Sequence, residues 1–394
     1  MTILLFPTLS CNLSCLYCFL RSHKIDRKLP KIDYHKLEKT LKYLKERLNI
    51  KDGTIVLHGG EPTCIDIRQL EKLIKFLKNL GFKVSLQSNI YGITDQHISL
   101  FKEYEVSVGA SLDGFPDINV LRGFFDEQGN ELEDLSREYR ERVVRNLERL
   151  VKERLCSGII IVLHKMNAGN EHALNRLKEF IDWCLRLGID SIRLNPMFAI
   201  NDVAKKYELT NEELAHAYID LYNYTRIYRG SSLKHISPFI DIMRVLLGNM
   251  DVVCWLRGCN YYDSFVWSID PQGNIYSCDR TLASGMWLRP SQLPHTHLVR
   301  MQIRTIALLQ TELKNDKYAH LHRGGCPAEG IGGDWRRPSR FIPAYDKLFA
   351  YIEQKLKRVL PEAKLASEYP NKLEFIRLID SGYKYDIWKG GFVR

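Results

Sequence analysis

Close to its N-terminus the chain reads Cys11-Asn12-Leu13-Ser14-Cys15-Leu16-Tyr17-Cys18, shortly after the apolar segment Ile3-Leu4-Leu5-Phe6. A short apolar segment that ends at a proline is typical of a buried parallel strand. The cysteines would then lie on the loop at the carboxyl end of that strand, which is where parallel α/β sheets and barrels carry their sites. The pattern therefore predicts a group of three thiols at the edge of an α/β fold.

The alternation of short apolar segments and amphipathic helices continues through the first half of the chain. Leucines recur every three to four residues in segments 34–48 and 70–80, which predicts helices with one apolar face. Further candidate strands lie at 54–57, 83–87, 106–110, 158–163 and 191–194. Six strand-helix units in series predict an α/β fold with a parallel sheet and helices on its outer face. The charged segment Arg122 to Glu153 is interpreted as an insertion followed by a helix.

The composition indicates an ordinary globular protein. The chain has 394 residues, of which 45% are hydrophobic and 26% charged, and 57 basic against 47 acidic residues give a net charge of +10. No apolar segment is long enough to span a bilayer and the N-terminus lacks a signal-peptide pattern, so we expect a cytoplasmic protein with no membrane partner. Arg336, Arg337 and Arg340 could hold an acidic peptide or a nucleotide, but a solvated basic face is favoured. Nucleic acid is not an expected partner, since no motif beyond charge supports it.

The ten cysteines are the most informative residues. They are too few for a disulfide scaffold, and clustered cysteines in a reducing compartment favour metal or redox chemistry. A structural zinc site would need a fourth ligand, and the nearest candidate to the first three cysteines is His23. A [4Fe–4S] cluster held by only three cysteines would leave one iron open to an external ligand.

The C-x3-C-x2-C spacing, with Tyr17 before the last cysteine, resembles the radical S-adenosylmethionine (radical SAM) superfamily. The resemblance covers roughly residues 1–235 and implies a partial (β/α)6 TIM-type barrel. It further implies that Cys11, Cys15 and Cys18 hold a [4Fe–4S] cluster whose open iron binds S-adenosylmethionine. One electron from the cluster would cleave that cofactor to a 5′-deoxyadenosyl radical, which abstracts hydrogen from the substrate. An electron donor such as flavodoxin or ferredoxin is an implied partner.

Three further motifs, each at the end of a predicted strand, fit positions at which this superfamily binds its cofactor. Gly59-Gly60-Glu61-Pro62 looks like the motif that binds the methionine amino group, and glycines there let the backbone come close to a ligand. Ser88-Asn89 and the segment Ser111 to Gly114 look like contacts to the ribose and the methionine carboxylate. The resemblance thus implies the following cofactor-binding residues: Tyr17, Gly59, Gly60, Glu61, Pro62, Ser88, Asn89, Ser111 and Asp113.

A second group of cysteines comprises Cys254, Cys259, Cys278 and Cys326, with Cys278 after a predicted hairpin at 268–276. This arrangement resembles the SPASM/twitch extension of radical SAM enzymes and implies one fully ligated auxiliary [4Fe–4S] cluster. It departs from a full SPASM domain, because it lacks the C-x2-C-x5-C-x3-C run. A small zinc site with the same four thiolates stays open as an alternative. Of the remaining cysteines, Cys64 could face the cleft or be buried, and Cys156 and Cys184 are interpreted as core residues.

Asp279 directly follows Cys278. The arrangement is most similar to the sulfatase-maturating branch of the SPASM enzymes, in which an aspartate at this step serves as the catalytic base. That implies Asp279 as a catalytic residue. An aspartate that caps the turn after a cluster ligand is an equal alternative.

The resemblance implies a radical SAM oxidoreductase that modifies a ribosomally made peptide by cross-linking, oxidation or epimerisation. The alternatives are a radical dehydrogenase acting on a small molecule such as an aminocyclitol, and an iron–sulfur electron carrier. Because the first strand begins near Ile3, a peptide leader would be recognised by the barrel surface, by a separate leader-binding protein, or not at all. We expect a barrel at residues 1–235, an auxiliary cluster domain at 236–341 and a C-terminal helix and tail at 342–394.

Overall fold

The computed structural model of the chain describes residues 2–22, 31–47, 53–199, 201–225, 235–252, 254–257, 259, 266–276, 278, 280 and 295–394. The described residues form two compact units. The first contains residues 2–209 and 266–280, and the second contains residues 210–225, 235–259 and 295–394. The predicted boundaries near residues 235 and 341 stay predictions.

The strands of the described part are short. In chain order they are β1 (Thr2–Thr8), β2 (Thr54–Gly59), β3 (Lys83–Ser88), β4 (Ser107–Ser111), β5 (Gly158–Leu163), β6 (Ser191–Pro196), β7 (His235–Ser237), β8 (Val266–Ile269), β9 (Ile275–Tyr276), β10 (Lys384–Asp386) and β11 (Gly391–Val393).

The helices vary from one turn to five turns. In chain order they are α1 (Phe19–Ser22), α2 (Tyr34–Arg47), α3 (Ile67–Asn79), α4 (Asp95–Glu103), α5 (Glu133–Lys152), α6 (Lys165–Ala168), α7 (Glu171–Leu187), α8 (Asp202–Lys205), α9 (Asn211–Thr225), α10 (Phe239–Leu246), α11 (His295–Gln310), α12 (Ala319–His322), α13 (Ile342–Val359) and α14 (Lys372–Asp380). None of the helices that the structure describes is long and apolar enough to cross a membrane.

The first unit contains a twisted parallel sheet whose first six strands follow the order of the chain. Neighbouring strands from β1 to β6 are parallel, and helices separate them along the sequence. The predicted α/β class and partial (β/α)6 barrel are confirmed. Because all six strands run the same way, their carboxyl ends lie along one edge of the sheet, and the loops that leave them share that edge.

The register of these strands aligns their apolar residues in rows. Ile3 pairs with Ile55 and Ile55 with Val84, while Leu57 pairs with Leu86. Each of these side chains is buried. The alternation of buried and half-buried residues along each strand places one complete row of side chains in the core. Cys156 and Cys184 are also buried, as predicted.

The hairpin predicted at 268–276 joins the same sheet. Strand β8 lies parallel to β1 on the side away from β2, and β9 pairs antiparallel with β8. The turn between them packs on α2, where the Thr40 hydroxyl donates to the Gly273 carbonyl at 2.8 Å. The first unit therefore includes a hairpin that the sequence patterns assigned to the following domain.

The second unit is built mainly from helices. Helix α9 packs against α13, with the Tyr218 and Tyr345 rings stacked 6.2 Å apart. Strands β10 and β11 form a separate two-stranded ladder near the C-terminus. The C-terminal helix expected within residues 342–394 corresponds to α13.

The packing of the hairpin turn on α2 can be tested with a matched pair of glycine variants. Gly273 and Gly382 both have positive φ, at 75° and 85°. A Cβ at Gly273 would lie 2.9 Å from Lys36 O and from Thr40 Oγ1, whereas a Cβ at Gly382 meets nothing within 4 Å. Both alanine variants should lose roughly 1–2 kcal/mol from left-handed backbone strain. We expect Gly273→Ala to lose about 1 kcal/mol more in chemical unfolding; equal losses would contradict this packing.

Candidate active site

The three cysteines of the first group lie on the loop that leaves β1, at the carboxyl edge of the sheet. Cys15 is buried, while Cys11 and Cys18 are half-buried, and none of the three is in a disulfide bond. Two backbone contacts shape the loop: Leu13 N–H donates to Cys11 Sγ at 3.4 Å, and Cys18 N–H donates to Cys15 O at 3.1 Å. The loop thus presents three thiol groups within one short segment.

Burial and mutual proximity disfavour the charged forms of the Cys11 and Cys15 thiols. Burial and then the neighbouring Cys15 raise the pKa of Cys11, and burial raises the pKa of Cys15 to about 11. The Arg122 guanidinium opposes the rise at Cys15. A cationic metal centre supplies the charge that holds such thiols as thiolates.

The donor set of the loop favours a cluster over a single zinc ion. It consists of three cysteines on one short segment, whereas a structural zinc site has four protein ligands. A [4Fe–4S] cluster held by three cysteines leaves one iron open to an external ligand. The residues present therefore fit a [4Fe–4S] cluster.

The segment after β4 holds the cysteine loop. Ser14 N–H donates to Gly123 O at 2.9 Å, and Leu16 N–H donates to Leu121 O at 3.0 Å. The Ser14 hydroxyl donates to Phe125 O at 2.8 Å and accepts from Phe125 N–H at 2.7 Å. The start of the predicted insertion thus pairs with the cysteine loop along its backbone, and α5 follows it.

The glycines at the end of β2 are required by close backbone packing. A Cβ at Gly60 would lie 2.2 Å from Ser10 O, and Gly59 has a φ of 118°. Gly60 N–H donates to Thr8 O at 3.1 Å, and Glu61 N–H donates to Ser10 O at 2.8 Å. The chain that enters the cysteine loop therefore lies directly against the Gly59-Gly60 backbone.

Glu61 ties the ends of β2 and β3 together. Its buried carboxylate accepts from Thr63 N–H at 3.1 Å and from the Thr63 hydroxyl at 2.8 Å. It also accepts from the Ser88 hydroxyl at 2.9 Å and from Asn89 N–H at 2.7 Å. Burial raises the pKa of Glu61 although these hydrogen bonds oppose the rise. Pro62 begins the single 3₁₀ turn that Glu61 caps.

Asn89 connects the β3 end to the first cysteine. Its Nδ2 donates to Asn12 Oδ1 at 2.8 Å and approaches Cys11 Sγ at 3.7 Å. Its Oδ1 accepts from Tyr91 N–H at 3.0 Å, which fixes the orientation of the amide. Asn89 is thus a predicted cofactor-binding residue in direct contact with one of the three cysteines.

Asp113 lies at the centre of a buried charge network after β4. Its Oδ2 is 3.0 Å from Arg122 Nε and accepts the Tyr17 hydroxyl, and its Oδ1 accepts from Val162 N–H at 2.9 Å. Burial alone would raise the pKa of Asp113, but Arg122, His164 and Tyr17 outweigh it and hold the pKa at about 2. The network links the last turn of the cysteine loop to the ends of β4 and β5.

The structure brings the residues predicted for the first site together at one sheet edge. The Ser111 hydroxyl contacts a neighbouring strand instead of the cysteine loop, since it accepts from Gln87 Nε2 at 2.7 Å. Two residues of the Asp113 network, Arg122 and His164, were missed. His164 is buried, with its Nε2 3.7 Å from Asp113 Oδ2, and the Arg122 side chain is 11% exposed. His164 follows β5 directly, so its place at a strand end was a usable signal, whereas Arg122 lies in a charged segment without one.

The cysteines of the second group differ in burial and belong to both units. In the second unit, Cys254 is exposed, Cys259 is buried and Cys326 is half-buried, and Cys254 begins a 3₁₀ turn that contacts α12. Cys278, in the first unit, is half-buried, and Cys64 is exposed. Asp279 lies outside the described residues, so its role as a base stays a prediction.

Comparisons with known proteins agree with these motifs. Residues 5–177 match the profile of the radical SAM superfamily. The cysteine-type anaerobic sulfatase-maturating enzyme of Clostridium novyi (strain NT) is 26% identical over 286 residues, which cover 68% of this chain and 71% of that protein. The enzyme of the same name from Clostridium perfringens (strain 13 / Type A) is 23% identical and covers 83% of this chain and 88% of its own.

Solved structures share the fold over most of the chain. Native anSMEcpe with bound AdoMet and the Cp18Cys peptide has a TM-score of 0.69 at 21% identity, covering 91% of this chain and 98% of that one. Streptococcus suis SuiB bound to the precursor peptide SuiA has a TM-score of 0.55 at 14% identity, covering 86% of this chain and 74% of that one.

The Asp113–Arg122 pair predicts a large loss of stability when one partner is neutralised. Asp113→Asn leaves the Arg122 charge buried without its counter-ion, so the cluster-free protein should lose about 3–5 kcal/mol of unfolding free energy. Asp134→Asn is the control, because that side chain is 91% exposed, and should change stability by less than about 0.5 kcal/mol. Similar losses for the two variants in chemical unfolding would contradict the pairing.

The same variant has a defined pH dependence. The Asp113 carboxyl has a pKa of about 2 when folded and close to 3.9 when unfolded, so its stabilising contribution is present above about pH 4. That contribution is lost as the pH falls towards 2. The stability difference between the wild type and Asp113→Asn should therefore be constant from pH 7 to 5 and shrink below pH 4.

Proposed function

Because its barrel region belongs to the radical SAM superfamily, we propose that this protein is a peptide-modifying enzyme that removes a hydrogen atom from a peptide side chain or backbone. Radical SAM enzymes use a [4Fe–4S] cluster and S-adenosylmethionine, and when bound these supply the one-electron cleavage that starts the abstraction. The observation that carries the proposal is the loop of three cysteines, none of them in a disulfide bond, at the carboxyl edge of the sheet.

Cys11, Cys15 and Cys18 are proposed to hold the cluster. The loop that carries them has no helix or strand between Ser10 and Cys18, so its shape depends on its neighbours. Ser14 and Leu16 are paired with the segment after β4, and the Tyr17 hydroxyl is bound by Asp113. These contacts preorganise three ligands before any cluster binds, which reduces the ordering cost of binding.

We propose that the residues predicted to bind S-adenosylmethionine have two different roles. The carboxylates of Glu61 and Asp113 are buried and already hydrogen-bonded by the chain itself. We assign them to fixing the loop ends, and assign direct cofactor contact to the backbone of Gly60 and Glu61 and to the amide of Asn89, which borders Cys11. Tyr17, Ser88 and Ser111 complete the proposed wall of the site.

The peptide substrate is proposed from the relatives. The two sulfatase-maturating enzymes are related over more than two thirds of this chain, and one covers 83% of it. That length includes the region of the second cysteine group, so the likeness extends beyond the barrel. Asp279, beside Cys278, is proposed as the base that takes a proton after hydrogen abstraction, and an auxiliary [4Fe–4S] cluster on Cys254, Cys259, Cys278 and Cys326 is proposed to accept the remaining electron.

The proposal is tested by following both cofactor cleavage and the peptide. The anaerobically reconstituted protein is incubated with S-adenosylmethionine, a strong reductant and a synthetic peptide from a short cysteine-containing reading frame beside the gene. We expect release of 5′-deoxyadenosine and a mass change of the peptide. Cys18→Ala should abolish both, because it removes a cluster ligand, and Cys184→Ala, a buried cysteine outside both groups, is the matched control.

Asp279→Asn separates the two halves of the proposal. It should still release 5′-deoxyadenosine but yield at least about tenfold less modified peptide, since loss of a catalytic base costs 10²–10⁴-fold. Undiminished peptide modification would remove Asp279 from the mechanism. Cofactor cleavage by Cys18→Ala would contradict the radical reaction itself.

A further inference from the structure

Arg304, on α11, is a buried arginine whose guanidinium is surrounded by backbone carbonyls. Arg304 is only 4% exposed. It donates five hydrogen bonds to carbonyl oxygens, at 3.2 Å to Arg323, 2.9 Å to Gly324, 3.2 Å to Gly325, 2.8 Å to Trp335 and 2.8 Å to Arg337. All five N–H donors of a guanidinium can be satisfied in this way, and a lysine cannot make the same set of bonds.

Three of these carbonyls belong to consecutive residues directly before Cys326. Arg323, Gly324 and Gly325 all have positive φ, at 51°, 82° and 67°. Such a run is unfavourable for a chain of L-residues, and two of the three positions are glycine for that reason. The left-handed turn points its carbonyls at Arg304, so the interaction with the guanidinium offsets the strain of the turn that leads into Cys326.

The same turn is held on its other side by His322. The His322 Nδ1 accepts from Gly324 N–H at 3.0 Å, so Nε2 carries the ring proton and donates to Asp316 Oδ2 at 2.9 Å. Asp346 lies 3.4 Å from the same nitrogen. We assign Asp316 and Asp346 to orienting His322 against the turn.

Arg304 also places a positive charge beside two cysteines of the second group. Its guanidinium interacts electrostatically with the thiol groups of Cys326 and Cys259, both in the same unit. A buried arginine keeps its charge at neutral pH, and in a poorly solvated setting that charge acts strongly on nearby thiolates.

We propose that Arg304 is the positioning residue of the second cysteine group: it fixes the turn that presents Cys326 and supplies a permanent positive charge to a cluster bound there. This rests on the proposed auxiliary cluster. Charge and hydrogen bonding around a cluster set its reduction potential, and a nearby cation stabilises the reduced, more negative state. Arg304 therefore acts both on how well the cluster is bound and on how readily it accepts an electron.

The experiment isolates the auxiliary cluster. In a protein with Cys11, Cys15 and Cys18 all replaced by Ala, we compare Arg304→Gln, Arg304→Lys and the control Arg300→Gln, which changes an exposed arginine on the same helix. Iron content and midpoint potential are measured after anaerobic reconstitution. Amide hydrogen exchange of residues 320–330 is measured in the cluster-free proteins.

Arg304→Gln should bind at most half the iron of the background protein, and any cluster that remains should have a lower midpoint potential. Arg304→Lys should also bind less iron, but its potential should stay near that of the background, because the charge is retained. In both variants the 320–330 segment should exchange at least tenfold faster while the strands of the first unit exchange at the background rate. Arg300→Gln should match the background in all three measurements.

The failures of the two proposals are distinguishable. If Cys326→Ala in this background still binds about four irons, the auxiliary cluster is wrongly assigned. If Cys326→Ala loses its iron but Arg304→Gln keeps full iron content, an unchanged potential and protected amides, the inference about Arg304 is wrong. If Arg304→Gln does not fold, Arg304→Lys provides the test. The inference is wrong if Arg304→Lys binds as much iron as the background protein and its 320–330 amides exchange equally slowly.

Discussion

The buried ion pair of Asp113 and Arg122 is the interaction on which the candidate active site depends. The cysteine loop has no regular secondary structure between Ser10 and Cys18, so packing from other segments must hold it. Asp113 binds the Tyr17 hydroxyl next to the last cysteine, and Arg122 balances its charge at 3.0 Å. Burying two charges is costly unless they are paired, and here Asp113 is paired with Arg122 and also accepts a hydrogen bond from Val162 N–H, with His164 3.7 Å away. The structure is therefore sensitive to the loss of either Asp113 or Arg122.

Each of the two cysteine groups is thus associated with one buried arginine, used in a different way. Arg122 is paired with a carboxylate and acts on Cys15. Arg304 has carbonyl oxygens as its hydrogen-bond acceptors and acts on Cys259 and Cys326. Full neutralisation by a carboxylate reduces the field that a cation exerts on its surroundings, whereas carbonyl dipoles leave the net charge in place. This difference suits one loop that must be rigid and another that we propose to present a ligand to an electron-accepting cluster.

Much of the fold could be predicted from the sequence, because it depends on local patterns. The strands from β1 to β6 are short apolar segments with polar or glycine ends, and residues such as Ser88, Asn89 and Asp113 mark the strand ends that carry the site. The place of the hairpin could not be predicted, since the pairing of β8 with β1 joins residues more than 260 positions apart. Nor could the burial of Arg122 and Arg304, because an arginine in a charged or amphipathic segment is normally solvated. His164 could have been predicted as a site residue, because it directly follows β5.

The most direct measurement is the iron content of the anaerobically reconstituted chain, compared with a variant in which Cys11, Cys15 and Cys18 are all replaced by Ala. Two [4Fe–4S] clusters predict about eight irons per wild-type chain and about four in the variant. The cluster that disappears should be the one whose electron paramagnetic resonance signal changes when S-adenosylmethionine is added. An iron content that the triple substitution leaves unchanged would contradict the assignment of the three-cysteine loop as the site of the radical reaction.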